Sequence, residues 1–114
     1  MRYSLALSAE ARLSIRQQRD WYHTELEDGD ELAVRWTREL DKALEKLREH
    51  PERYGLAAEN GRWHPEVVIR RMLFRPWKSG VGWRVLFTVD EAHQVVTVLQ
   101  VRHEHRLLLE EGEE

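Results

Sequence analysis

Residues 81–106, VGWRVLFTVDEAHQVVTVLQVRHEHR, limit the fold more than any other stretch of the chain. Trp83, Val85, Phe87 and Val89 fall on one parity, and Arg84, Leu86 and Thr88 on the other. After Asp90-Glu91-Ala92-His93 the alternation resumes, with Val95, Thr97, Leu99 and Val101 set against Val96, Val98, Gln100 and Arg102. Period-two spacing of β-branched and aromatic residues predicts two strands. The polar tetrapeptide between them has the length and polarity of a hairpin loop. Both parities are rich in apolar residues, which predicts a central hairpin with little solvated surface. The exceptions are Arg84, early in the first strand, and Arg102, His103, His105 and Arg106 at the end of the second. Antiparallel pairing sets the start of one strand beside the end of the next. Arg84 is therefore expected next to Arg102 and His103.

The preceding chain must supply what covers this hairpin. Residues 2–7 alternate, with Tyr3, Leu5 and Leu7 on one face, and read as a short first strand. Ser8 is a good helix N-cap and Glu10 suits the dipole of a first turn. The helix that follows is expected to run to about Glu27, with Ala11, Ile15, Gln18 and Tyr22 on one stripe and Trp21 beside it. Asp28-Gly29-Asp30 breaks it, and Asp30 is the expected cap of a second helix over about 31–49. There Ala33, Trp36, Leu40, Ala43, Leu44 and Leu47 recur at three and four, and Pro51 ends the run. Two helices so closely joined form an antiparallel hairpin. Residues 53–65 read as a loop. Residues 66–75, EVVIRRMLFR, read as a strand, with Val67, Ile69, Arg71 and Leu73 alternating with Val68, Arg70, Met72 and Phe74. Residues 76–80 turn into the central hairpin, and 107–109 offer a last short extension. The order is β-α-α-β-β-β. It is an α+β arrangement with a short N-terminal strand and a helical hairpin on one face of a mostly antiparallel sheet. Residues 1–109 form one domain in this reading, and 110–114 a frayed acidic tail.

Charge divides the chain along the same line. Residues 1–60 carry 10 Lys+Arg and 13 Asp+Glu, residues 61–106 carry 8 and 4, and residues 107–114 carry four Glu and nothing basic. A locally basic, strand-rich half can steer a polyanion even though the chain's net charge is −3. Ordinary solvated arginines at strand edges account for the same pattern. With 41% hydrophobic and 34% charged residues the chain reads as globular. No apolar run approaches a membrane span, and the N-terminus turns polar too soon for a signal peptide. The absence of cysteine excludes disulfides and cysteine-based zinc or nucleophile chemistry, and fits a cytoplasmic protein.

Taken in order, several pieces resemble the RelE/ParE superfamily of type II toxin–antitoxin systems, and its ParE-like branch most. They are the opening strand with Leu7-Ser8-Ala9-Glu10-Ala11, the helix ending Ala43-Leu44-Glu45-Lys46-Leu47 before His50-Pro51, Ile69-Arg70-Arg71, Trp83-Arg84-Val85-Leu86-Phe87, and residues 95–101 followed by Arg102-His103. The resemblance implies a small toxin neutralised by a cognate antitoxin from the adjacent gene. RelE-like members cleave mRNA on the ribosome, whereas ParE-like members inhibit DNA gyrase and are not nucleases. Arg84 and Arg102 match the basic positions of the central strands, and Arg70 or Arg71 approximates those of the strand before. The nuclease branch also carries a Tyr or His near the C-terminus, and the tyrosine has no counterpart here, since the tyrosines are Tyr3, Tyr22 and Tyr54. The resemblance therefore favours gyrase or another non-nucleolytic target. The alternatives are a ribosome-dependent mRNA endoribonuclease and an inactive relative kept as a binding module.

Cleavage through a 2′-hydroxyl needs a base, positive charge on the phosphate and an acid for the leaving oxygen. Arg84 and Arg102 suit the charge, and His103 or His105 the proton transfers. If the chain is a nuclease, Arg84, Arg102 and His103 are the catalytic candidates. Arg70, Arg71, Arg75, Trp77, Lys78 and Arg106 are the candidates for contact with a target or nucleic acid. Trp77, in a turn, is expected to be exposed and suited to stacking. The plainer reading makes Arg84 and Arg102 partners of carboxylates such as Glu104 or Asp90. His103 and His105 share one side of a strand but lack a third ligand, so no metal is expected, and no cofactor.

Overall fold

The computed structural model describes residues 2–58, 60, 66–77 and 82–103. Its elements run β1 (Ser4–Leu7), α1 (Ala9–Glu25), α2 (Gly29–Leu47), a single 3₁₀ turn (Pro51–Arg53), β2 (Arg70–Phe74), β3 (Trp83–Asp90) and β4 (Val95–His103). The sheet order is β1-β4-β3-β2, with β1 parallel to β4 and the other pairs antiparallel. This is the expected α+β chain order.

Ser8 explains how the first strand becomes the first helix. Its Oγ accepts a hydrogen bond from Ala11 N (3.0 Å), satisfying one of the donors a helix start leaves open. The same hydroxyl donates to Leu99 O at 2.8 Å, and Ser8 N donates to Val98 O at 3.0 Å. One residue thus ends β1, caps α1 and ties both to β4.

That tie falls on an irregularity that plain alternation does not foresee. Leu86 pairs with Gln100 but Phe87 pairs with Val98, so Leu99 is an extra residue in β4, a β-bulge. A one-residue insertion exchanges the faces of everything beyond it. Strict alternation groups Gln100 and Arg102 with Val96 and Val98. Instead, Val101 joins Val96 and Val98 in the core beneath the helices, while Gln100 and Arg102 turn to the opposite face. A bulge also removes ladder partners. Two serines replace them, the N-cap Ser8, whose Oγ donates to Leu99 O, and Ser14 of α1, whose Oγ accepts from Val101 N at 3.2 Å.

The helices cover the other face. Ala33, Trp36, Leu40, Leu44 and Leu47 of α2 are all buried. The Trp36 ring meets Phe74 at 5.7 Å and Trp83 at 5.8 Å, both in edge-to-face geometry. α1 adds Ala11 and Tyr22. The interhelical turn differs by two residues from the expected one. Asp28 is the N-cap and α2 begins at Gly29. Asp30 lies in the first turn and pairs with His23 of α1 rather than capping. Gly29 is there because a Cβ would lie 1.6 Å from Tyr22 O, so any side chain would force the helices apart.

β2 is shorter than the 66–75 pattern suggests. Its first part is replaced by a loop in which Ala57 N bonds Ile69 O (2.8 Å), Ile69 N bonds Asn60 Oδ1 (2.9 Å) and Arg71 N bonds Gly55 O (3.0 Å). Ala57, Ile69 and Leu86 form a small second core on the outer face, flanked by Val67 and Leu99. The tight turn of the β3–β4 hairpin places Gln94 at φ 54°, and Asp90 Oδ1 accepts from His93 N at 3.1 Å. Among the described residues no helix is long and apolar enough to cross a membrane.

Candidate functional site: a basic row on the outer face

Pairing across three strands lines up Leu73, Arg84 and Arg102 in one row, with Arg71, Leu86 and Gln100 in the next. Paired residues share a face, and directly opposite Cβ atoms lie about 4.5–5.5 Å apart. Arg84 and Arg102 are thus immediate cross-strand neighbours on the side away from the helices. Both are buried, at 7% and 4% exposure. Arg102 Nη1 donates to Gln100 Oε1 at 2.8 Å, which restrains that guanidinium. Arg71 is exposed beside them, and Leu73 is 46% exposed. Guanidinium groups can grip a phosphate or carboxylate through paired N–H groups.

The sequence candidates divide between the two faces. Arg71, Arg84 and Arg102 come together on the outer face. His103 does not join them. It pairs with Trp83 on the helix side, its ring 5.6 Å from the indole at 81°. Arg70 also belongs to the helix side, opposite Phe87, and its Nη1 donates to Tyr54 O at 2.6 Å. Arg75 is exposed just past β2. Trp77 is not the exposed stacking platform expected of a turn. It is half-buried against the core, edge-on to Tyr22 at 6.3 Å and capped by the Arg35 guanidinium at 5.1 Å. An aromatic ring beside an uncovered helix end gains more by burial than by exposure. Lys78, His105 and Arg106 lie outside the described residues, as do Glu104, the 107–109 extension and the 110–114 tail. Among the described residues no cluster of three or more His, Asp or Glu could hold a metal ion.

A second surface escaped the sequence reading. β2 is an edge strand, and between its outer edge and α2 runs a groove of about 530 Å³. Ala43, Met72 and Phe74 line it, and Glu39, Lys42, Lys46 and Arg75 rim it. Lys42 and Lys46, four apart on α2, were the available signal, because residues at that spacing share a helix face. Gln100 was also passed over. Its placement beside Arg102 depends on the bulge.

Comparisons with known proteins agree with this architecture. Residues 5–108 match the family described as ParE toxin of type II toxin–antitoxin system, parDE. No curated protein matches the sequence. Among solved structures the chain is similar to one from the chromosomal ParDE toxin–antitoxin system of P. aeruginosa. The TM-score there is 0.64 at 15% identity, over 89% of this chain and 95% of that one. It is also similar to a free-state mutant of the E. coli toxin RelE, with TM-score 0.56, 22% identity, and 92% and 86% coverage. A third is the archaeal RelE–RelB complex of Pyrococcus horikoshii OT3, with TM-score 0.53, 14% identity, and 94% and 100% coverage. At these identities the structural likeness is one of fold, and the family match spans most of the sequence. The chain belongs to the ParE toxin family of type II toxin–antitoxin systems.

Proposed function

We propose that the chain is a toxin that acts by binding, with DNA gyrase or another non-nucleolytic target, and that a cognate antitoxin neutralises it. The observation that carries this reading is the separation of charge from proton transfer. The paired outer-face positions around the bulge are Arg71, Leu73, Arg84, Leu86, Gln100 and Arg102, none of them histidine or tyrosine. His103 lies across the sheet against Trp83. Guanidiniums attract an anion, but a general acid or base must come within hydrogen-bond reach of the proton it moves. The row therefore suits an acidic protein surface or a phosphate held without cleavage. The ribosome-dependent endoribonuclease is the alternative, favoured by the Arg84–Arg102 pair alone. An inactive relative acting as a binding module is the third reading.

The α2–β2 groove suits the antitoxin. Its apolar floor, the strand edge beyond the Gly55–Arg71 hydrogen bond and a rim of Lys42, Lys46 and Arg75 against Glu39 fit an amphipathic segment that folds as it binds. The structural relatives include ParDE and RelE–RelB assemblies, which supports such a partner. The test is gyrase supercoiling of relaxed plasmid in the presence of the purified chain. Inhibition is expected, with relief on adding the small protein encoded next to this gene. Unchanged supercoiling at saturating toxin would remove gyrase as the target, and a neighbouring protein that neither binds nor relieves growth arrest would remove the antitoxin.

A further inference from the structure

Helix α1 carries apolar residues on two sides. Ala11 and Tyr22 enter the core, yet Leu13 and Trp21 lie 50% and 49% exposed. Leu13, Gln17 and Trp21 are spaced by four and so form one row along the helix, with Gln17 exposed between the other two. A lone exposed apolar residue needs no explanation, but here the charges beside the row specify what would cover it. Arg16 and Asp20, also four apart, are exposed on the adjoining row. Among the described residues neither makes an ion pair. Within one helix a cation placed four residues before an anion is the weaker order, because it opposes the helix dipole. Arg12, Arg16 and Arg19 all precede Asp20 and Glu25, with Glu10 of the first turn the exception. An antiparallel helix of the same sequence sets each basic half against an acidic half.

We infer that this face binds a second copy of the chain, with the two α1 helices packed antiparallel about a two-fold axis at Gln17. Leu13 of each copy then lies level with Trp21 of the other, and the two Gln17 amides meet on the axis. Arg16 and Asp20 share one flank, which the two-fold sets against the same flank of the other copy. At 1.5 Å of rise per residue, Arg16 falls within about 3 Å, measured along the helix, of Asp20 of the other copy. A seam one helix wide and 17 residues, about 26 Å, long falls below the roughly 1,200 Å² of standard interfaces, so the dimer is a weak one, in roughly the micromolar range. The contact uses neither the outer basic row nor the α2–β2 groove, and so stands apart from the gyrase and antitoxin readings.

Sedimentation equilibrium of the purified full chain, from about 1 to 500 μM, should show a monomer–dimer equilibrium. Arg16→Asp and Asp20→Arg should each weaken it roughly tenfold, because the contact occurs twice in a two-fold interface. An equimolar mixture of the two variants should recover it, since each offers the charge that the other lacks. Trp21→Ala should weaken it as well, and circular dichroism checks that every variant is folded. The chain has no cysteine, so Gln17→Cys introduces a single thiol on the axis, where closely packed helices bring two Cα atoms within disulfide range. Mild oxidation should link that variant into a dimer, and should not link Arg38→Cys on α2. A chain monomeric throughout the range, a mixture no stronger than its components, or equal cross-linking at both positions would overturn the proposal. So would a Gln17→Cys thiol shielded only when the neighbouring gene's product is added, which would assign the face to that protein.

Discussion

The two faces of the sheet use the same strands for different ends. On the helix side, Trp83, Val85, Phe87, Val96, Val98 and Val101 interlock with Trp36 and Tyr22 in a continuous aromatic and aliphatic core. On the outer side, apolar packing stops at the small cluster of Ala57, Ile69 and Leu86, and the remaining positions carry Arg71, Leu73, Arg84, Gln100 and Arg102. One face spends its burial on stability. The other holds charge in place, with Arg84 and Arg102 buried as cross-strand neighbours.

The sharpest contrast comes from Trp36. Trp36→Ala removes the ring that joins α2 to Phe74 and Trp83. Large-to-small core changes of this kind cost about 3–5 kcal/mol of the roughly 5–15 kcal/mol a domain has. Little folded protein is expected, and urea unfolding should show it. A variant as stable as wild type would mean the helix face is not the stabilising one.

Ser14→Ala tests the device that separates the faces. It leaves the Val101 N–H without its hydroxyl acceptor at the bulge. An orphaned, part-buried donor costs about 1–3 kcal/mol. Urea midpoints should fall accordingly, and Ser14→Thr should recover part of the loss. An unchanged midpoint would mean that the bulge does not depend on α1.

Leu73→Ala is the outer-face counterpart of Trp36→Ala, and its effect on stability should stay within about 0.5 kcal/mol by the same titration. A cost comparable to that of Trp36 would erase the distinction between faces. The smallest effect belongs to the hairpin loop. The His93 side chain, and then its backbone N–H, bond the Asp90 carboxylate and hold its pKa below the ordinary value. A depressed carboxyl adds stability that is present above its unfolded pKa of about 3.9 and is lost as pH falls through the lower folded value. Asp90→Asn should flatten that acid limb, measured as thermal midpoints between neutral pH and pH 2, and leave neutral-pH folding nearly unchanged.

Much of this was legible in the sequence because periodicity reports burial. The stripe of Ala33, Trp36, Leu40 and Leu47 and the alternation of Trp83, Val85 and Phe87 place the core directly. Arg84 near the end of β4 follows from antiparallel pairing, but its direct pairing with Arg102 needs the Leu99 bulge, since the register before the bulge would set it opposite Val101. What escaped depends on single-residue shifts and on contacts between distant segments. Leu99 looks like any other strand residue, yet as a bulge it decides which face Val101, Arg102 and His103 occupy. Trp77 has the local signature of an exposed turn. Its burial comes from Tyr22 and Arg35, more than forty positions earlier. The open groove beside β2 needs the strand order, which pattern alone does not supply.

The central claim is that the basic row binds without cutting, and primer extension on translated mRNA from induced cells tests it most directly. The expected result is transcripts with no discrete breaks, the same for wild type, Arg84→Ala and His103→Gln. Ribosome-dependent cuts that vanish in both variants would contradict the account and establish an endoribonuclease in which His103 reaches the substrate from the face now turned toward Trp83.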